Sequence, residues 1–400
     1  MNPPPIGIDE FRNRREKVLE SLDGAVGLVF AGEAGGGLHG VFRADSHFAY
    51  LTGITAEPGA ALLLDPRAED PNRRAILFLK PLAPEVEAWD GLRDPISSNL
   101  KARHGFATIM RTTLLPRQLT NVARLRKRLA CLHTFAVYEG PVSSDLATFR
   151  KVGERVLGVS IEDRTNLLPA MRAKKSEAEL SLMRRAISST AAAYAKARGE
   201  IRAGVNERDV QRSLEQTWFG LGASGNAYNP IVGAGKNSTV LHYNHNNQEM
   251  RAGDVLLIDA AAAYGGYCAD ITRAYPVDGK FTPRQREVYS LVLEAQIAAI
   301  EATKPGALIH EVDEAARRVF RRAGVEDFYI HGIGHQLGME VHDATPDGAY
   351  VPGMITTIEP GLYFPEEGLG IRIEDDILIT ERGNENLSAE IPKALNEIGG

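Results

Sequence analysis

The stretch Asp254–Pro276, DVLLIDAAAAYGGYCADITRAYP, constrains this chain more than any other. Two apolar runs flank Gly265-Gly266, a dipeptide that suits the two-residue turn of a β-hairpin. That turn sets a register in which Tyr264 faces Tyr267 and Asp259 lies opposite Thr272. Strand side chains alternate faces with period two, so Asp270 shares the face of Asp259 and the two carboxylates become diagonal neighbours. Two acids among Leu256, Leu257, Ile258 and Ile271 are costly to bury unless a cation or a proton offsets them. A solvated sheet face carrying two aspartates fits this stretch equally well, so the decision rests on what lies downstream.

Four further features bear on it. His331-Gly332-Ile333-Gly334-His335 spaces two histidines four apart, but Gly332, Gly334 and Gly338 argue against a helix, and the HExxH pattern of a helical zinc protease is absent. A Gly-rich strand or loop that brings backbone close to a ligand fits better. Val341-His342-Asp343 adds a third histidine. Glu359 closes an apolar run and precedes the turn pair Pro360-Gly361. In GIRIEDDILI, alternation puts Arg372, Glu374 and Asp376 on one face of a strand, a pattern that a surface salt bridge also explains.

Taken singly, each has a plain structural reading; a lone histidine is more often structural than catalytic. Jointly, Asp259, Asp270, His335, Glu359 and Glu374 sit at the ends or centres of apolar strands. Four carboxylates and one imidazole suit hard or borderline ions such as manganese better than a thiolate-type zinc site. That many acids also suits two ions bridged by carboxylates and a water. Cys268 shares the face of Asp270 and reads as a packing residue, because a soft thiolate fits poorly beside this set.

A chain of 400 residues has room for two or three domains, and 44% hydrophobic with 24% charged residues is the balance of a soluble globular protein. The net charge of -6 gives no support for nucleic-acid binding. Two cysteines, Cys131 and Cys268, are too few for a disulfide framework and fit a reducing compartment. The N-terminus lacks the apolar core of a signal peptide, and no run approaches the ~20 apolar residues that cross a bilayer. A cytoplasmic protein without a membrane or nucleic-acid partner is the expectation.

In chain order, a helix is expected over Asp9–Leu22 with Asp9 as its cap. Strands are expected at Ala25–Ala31, Ala60–Leu64, Ala75–Leu79, Ala107–Thr113 and Thr134–Tyr138, with a loop and a short element in RADSHFAYLTGI. A basic amphipathic helix over Leu119–Leu132 would present Leu125, Leu129 and Leu132 to a core. Strands interleaved with helices predict an α/β domain. Glu162–Lys175 reads as the connector. Ser176 and Glu179 form a capping box opening a long helix toward Gly199, and a second helix covers Asn206–Gly220. Residues 221–249 are turn-rich. Beyond the hairpin come helices over Pro283–Thr303 and Ile309–Ala323, then strands and loops over Gly332–Val341, Met354–Glu359 and Gly370–Thr380. This order permits an internal duplication.

The series Asp259, Asp270, His335, Glu359, Glu374 resembles the metal-ligand signature of the pita-bread metallopeptidases, a group that includes methionine aminopeptidase, aminopeptidase P and prolidase. AYNPIVGAGKNSTVLHY, DITRAYPVDGKFT, HGIGHQLGMEVHD, TIEPGLYF, GIRIEDDILIT and ERGNENL are similar to the bacterial aminopeptidase P family, and RADSHFAYLTGI and EVEAWDGLR to its N-terminal domain. The resemblance implies an α/β (α+β) protein: a ribonuclease-H-like, creatinase-type N-terminal domain over 1–170 and a pita-bread catalytic domain over 171–400. It implies two divalent ions, manganese first, with cobalt or zinc as alternatives. Asp259 and Asp270 would chelate them, Asp270 and Glu374 would bridge, and His335 and Glu359 would each complete one shell.

By the same resemblance, His242 lies near the scissile bond. His331 and His342 contact substrate and stabilise the tetrahedral intermediate, and Arg372 and Tyr363 stand beside the metals. The implied reaction removes the N-terminal residue from peptides with proline second, using a metal-bridged hydroxide, with Glu359 relaying the proton. Prolidase, with the same ligands but dipeptide substrates, is the alternative. Metal-free hydrolases resembling creatinase and binding-only modules would have lost ligands, and none is lost here. The resemblance also implies a homo-oligomer, dimer or tetramer, with Trp89 a candidate to reach a neighbouring subunit's cleft. The chain departs from the pattern after VHD, where it reads ATPDGAYVPGM, and in the short FPEEGLGI stretch before Arg372. Neither departure removes a ligand.

Overall fold

The computed structural model describes residues 5–34, 42–135 and 140–399, in two compact units, one from Ile6 to Met171 and one from Arg172 onward. Among the described residues no helix is long and apolar enough to cross a membrane.

The first unit is built on a mixed sheet of β1 (Val26–Phe30), β2 (Ala61–Leu64), β3 (Ala75–Leu79), β4 (Thr108–Arg111), β5 (Arg128–Cys131) and β6 (Ser160–Asp163), ordered β4-β3-β2-β1-β5-β6. β1, β2 and β3 are antiparallel neighbours, and β4, β5 and β6 join in parallel. Its helices are α1 (Ile8–Ser21), α2 (Ser46–Thr52), α3 (Pro84–Asp90), α4 (Ser98–His104), α5 (Leu115–Arg126) and α6 (Ser144–Gly153). Leu119 and Ala123 of α5 and Phe149 and Val152 of α6 pack on the apolar strands to form this unit's core.

Several expectations shift here. The N-cap of α1 is Gly7, with no side-chain cap; Asp9 instead stands in the first turn, where a negative charge favours the helix dipole, and meets Arg12 at 2.9 Å. The short element in RADSHFAYLTGI is α2, capped by Asp45. The helix expected over Leu119–Leu132 is two elements. Lys127 adopts a left-handed φ of 61°, which ends α5, and β5 follows. Leu129 and Leu132 are therefore buried from the strand and its exit, while Leu125 is 73% exposed. Of the run Thr134–Tyr138, Thr134 and Phe135 are not in a strand and 136–138 lie outside the described residues. The stretch read as a connector contains the end of β6 and a helix, α7 (Leu167–Ala173).

The second unit opens with α8 (Glu177–Arg198), where Ser176 and Glu179 form the reciprocal capping box, and α9 (Glu207–Gly220), capped by Asn206. The strands β7 (Gly225–Asn226), β8 (Ile231–Ala234), β9 (Val255–Asp259), β10 (Ala262–Tyr264), β11 (Tyr267–Cys268) and β12 (Thr272–Pro276) follow. They form two three-stranded sheets, β12-β9-β8 and β11-β10-β7. The hairpin has the expected register: Tyr264 pairs with Tyr267 and Asp259 with Thr272. Gly265 and Gly266 both take positive φ, 57° and 85°, as this turn demands.

Helices α10 (Pro283–Ala302) and α11 (Ile309–Arg322) precede β13 (Ile355–Ile358), β14 (Gly361–Phe364), β15 (Leu369–Arg372), β16 (Asp375–Ile379) and β17 (Asn384–Asn386). The single strand expected over Gly370–Thr380 is two, because β15 pairs with β14 while β16 pairs with β13. The Gly-rich stretch Gly332–Val341, expected as a strand or loop, is a loop with one isolated bridge, Gln336 to Thr356. Its glycines serve close approach: a Cβ on Gly334 would lie 2.1 Å from the Thr357 carbonyl oxygen. Apolar side chains of α8 to α11 and of the strands, Tyr194, Trp218, Ile258, Tyr289, Phe320 and Ile371 among them, form one core.

Candidate metal centre

Strand ends and strand breaks deliver the acids. Asp259 ends β9, Asp270 lies between β11 and β12, Glu359 follows β13, and Glu374 sits where the chain passes from β15 to β16. His335 comes from the glycine-rich loop, held by its amide to Thr357 Oγ1 (3.0 Å). All five line one cavity of about 580 Å³, together with His242, His331, His342 and Arg372. Ligand atoms of Asp270, His335 and Glu374 lie within 4.8 Å of one another. His335 Nε2 is 3.5 Å from Asp270 Oδ2 and 3.4 Å from Glu359 Oε1.

The acids are held from behind. Arg372 donates to Asp259 Oδ2 (2.5 Å), to the Tyr363 hydroxyl (2.8 Å) and to Thr272 Oγ1 (3.2 Å). Thr272 in turn donates to Glu374 Oε2 (2.6 Å), and the Tyr228 hydroxyl donates to Asp259 Oδ1 (2.5 Å). His331 Nε2 is 2.9 Å from the Tyr363 hydroxyl, and the rings of His335 and His342 lie 4.0 Å apart.

Charge in this cavity is out of balance. Burial first, then the neighbouring carboxylates, pushes Asp270 and Glu374 well above the usual carboxylate range. Burial also raises Glu359 to about 8, against the pull of Arg372. His335 is lowered to about 4, by burial and then His342, and His331 to about 4, by burial and then Arg372. Both imidazoles are therefore neutral at pH 7, the form that binds metal. Among the described residues, Arg372 is the one Lys or Arg lining this cavity, and its ion pair is with Asp259. A converging set of carboxylates and a neutral imidazole, short of positive charge, is the donor chemistry of hard or borderline divalent ions, and these residues fit them.

Thus the nine residues Asp259, Asp270, His335, Glu359, Glu374, His242, His331, His342 and Arg372 share one cavity wall, and Tyr363 stands behind it, bonded to His331 and Arg372. Asp376, expected to share the face of Glu374, is not in the wall; its Oδ2 accepts from the amide of Asp270 at 3.3 Å. Cys268 is buried and its Sγ lies 3.7 Å from the Met339 carbonyl. Trp89 is 88% exposed.

Sequence reasoning missed Tyr228, Thr272, Asn229 and Asn244 as parts of this site. It also missed Glu207, a buried carboxylate at the start of α9 that accepts from Ala234 N, Asn237 Nδ2, the Tyr243 hydroxyl and Gln248 N at 2.8–3.0 Å. That carboxylate gathers the segment carrying His242. A signal existed only for Thr272, which the hairpin register places opposite Asp259.

Comparison with known proteins agrees with this geometry. The family model for metallopeptidase family M24 matches residues 181–381, and that for the aminopeptidase P N-terminal domain matches 11–130. The chain is 34% identical to a Xaa-Pro aminopeptidase of Escherichia coli, over 98% of this chain and 97% of that one. It is 33% identical to a Xaa-Pro aminopeptidase of Haemophilus influenzae (98% and 96%). The solved structure of Escherichia coli aminopeptidase P with the inhibitor Pro-Leu superposes with a TM-score of 0.87 at 31% identity, covering 99% of this chain and 98% of that one. The acids and imidazoles of this cavity and the end-to-end likeness lead to one assignment: the chain belongs to metallopeptidase family M24, in its aminopeptidase P branch.

Proposed function

We propose that this protein is a Xaa-Pro aminopeptidase, a metal-dependent hydrolase that removes the N-terminal residue from peptides with proline second. One observation carries the reading: Asp270, His335 and Glu374 bring ligand atoms within 4.8 Å of one another in a cavity that also holds Asp259 and Glu359. These five residues would hold two divalent ions, manganese first. When bound, the ions lower the pKa of water toward neutrality and polarise the scissile carbonyl.

The chain's own groups do the rest. Glu359 takes a proton from the attacking water and returns it to the leaving nitrogen. His342 offers an N–H donor where oxyanion charge develops. His331, whose one N–H goes to the Gly332 carbonyl (2.8 Å) while Nε2 faces the Tyr363 hydroxyl, contacts the substrate from that fixed orientation, and His242 lies along the same wall to orient the peptide. Arg372 and Tyr363 keep Asp259 and His331 in place through the bonds given above. The free amine of the substrate pairs with the acids, which restricts cleavage to the N-terminus.

Residues 171–400 form the catalytic domain in this reading and 1–170 the aminopeptidase P-type N-terminal domain. The compact units and the two family-model matches support that division. We further propose a cytoplasmic homo-oligomer, a dimer or tetramer, in which the exposed Trp89 reaches a neighbouring subunit's cleft. Prolidase activity is not favoured, since the full-length relatives above carry the aminopeptidase name. The test compares manganese-loaded protein on Gly-Pro, on Xaa-Pro-Xaa tripeptides and on a longer peptide with proline second. Release of the first residue from the longer peptides is expected. Cleavage of the dipeptide alone would make the enzyme a prolidase.

A further inference from the structure

The hairpin that carries Asp259 and Asp270 is not a continuous ladder. β9 stops at Asp259 and β10 resumes at Ala262; on the return, β11 stops at Cys268 and β12 resumes at Thr272. The pairings Tyr264–Tyr267 and Asp259–Thr272 share one register, so the break inserts no residue into either strand. Two backbone bonds still cross the break, Ala260 N to the Ile271 carbonyl (3.2 Å) and Ala269 N to the Ala262 carbonyl (3.1 Å), and two hydroxyls of α8 join them from the side.

Thr190 Oγ1 accepts from the amide of Ala262 at 3.0 Å. The Tyr194 hydroxyl donates to the Ile271 carbonyl at 2.6 Å, accepts from the amide of Ala260 at 3.3 Å and lies 3.2 Å from the Ile258 carbonyl. Ile258 and Ala260 flank Asp259, and Ile271 follows Asp270. One phenol thus ties together the backbone on both sides of one carboxylate and next to the other. Thr190 and Tyr194 are four apart, so one helix face supplies both contacts. Both are fully buried beside Ala186, Ile187 and Ala193, where valine and phenylalanine would occupy much the same volume. A buried hydroxyl is costly unless bonded; Thr190 donates to the Ala186 carbonyl of its own helix (2.9 Å) and offers its oxygen to the hairpin, while Tyr194 bonds the hairpin alone.

We propose that Tyr194 and Thr190 are positioning residues: they clamp the backbone of both arms where the regular ladder is interrupted and thereby fix the relative placement of the Asp259 and Asp270 carboxylates. The inference rests on the metal reading above and assigns to α8 the task of setting that site.

The test uses full-length protein freed of metal by a chelator and titrated with Mn2+, followed by calorimetry and by electron paramagnetic resonance of the bound ions. Tyr194→Phe keeps the ring and Thr190→Val the shape, while Thr190→Ser keeps the acceptor. We expect Tyr194→Phe and Thr190→Val to weaken Mn2+ binding by about 10- to 100-fold, the range for residues that orient metal ligands. We also expect them to alter the spin coupling of the ion pair, and Thr190→Ser to restore both. A hydroxyl with only a structural role would lower the melting temperature of the metal-free protein and leave affinity and spectrum unchanged. That result overturns the proposal alone. A wild-type protein that takes up no Mn2+ overturns the metal reading and this inference with it. If Tyr194→Phe does not fold, the Thr190 pair decides the question by the same criteria.

Discussion

Glu359 held at about 8, with Asp270 and Glu374 pushed higher than ordinary carboxyls, means that the metal-free cavity keeps protons that an unfolded chain would release. Between the unfolded value of 4.5 and about 8, the native state therefore binds more protons, and its stability falls as pH rises. A divalent ion takes the place of those protons, so its affinity must rise with pH, about tenfold per unit for each proton displaced. We predict that the melting-temperature gain from added Mn2+ is larger at pH 8 than at pH 6; a gain that is flat or falls with pH would contradict this. Arg372 spans Asp259, Tyr363 and Thr272 at once, which a point-charged lysine cannot do. Arg372→Lys should lower kcat about 100-fold by misplacing Asp259, with a smaller change in KM, in steady-state assays. The acids that line the cavity were legible because acids at the ends of apolar strands are costly and therefore conspicuous. Tyr228 and Thr272 were not, because a single tyrosine or threonine in a strand-rich stretch is unremarkable until the fold turns it toward an acid.

Local chemistry decided which elements could be read. The hairpin was legible to its register because Gly265-Gly266 fixes the turn and period-two alternation does the rest. The capping box at Ser176 marked α8 for the same kind of reason. The strands around Glu374 were not legible: alternation runs through GIRIEDDILI without pause, and only the separate partners β14 and β13 show that the chain changes sheets there. The loop from His331 to Asp343 was left open between strand and loop, since its contacts to β13 are set by tertiary approach at Gly334. α9 matters through Glu207, which collects four donors from the segment around His242. Glu207→Gln points an amide at those donors and should cost about 1–3 kcal/mol in urea unfolding. It should also lower kcat/KM, since His242 lies one residue from Tyr243. An unchanged kcat/KM would separate this segment from catalysis.

The main core of each unit has its own task. Asp145 illustrates the first: fully buried, it accepts from the amides of Leu132, His133 and Leu146 at 2.7–3.0 Å. Asp145→Asn should destabilise the protein by about 1–3 kcal/mol while leaving Mn2+ affinity intact, because the five proposed ligands all belong to the other unit. Denaturant unfolding and a Mn2+ titration of the same sample would check both halves of the claim. The second core exists to hold acids where strands end, and the central claim is that those acids hold catalytic metal. Its most direct test titrates metal-free protein with Mn2+ while following release of the first residue from a Xaa-Pro-Xaa peptide, with Asp270→Ala in parallel. The account predicts no turnover without metal, a rise to a plateau as the cavity fills, and no rise in the variant. Full turnover by protein freed of metal, or a variant that responds like the wild type, would contradict it.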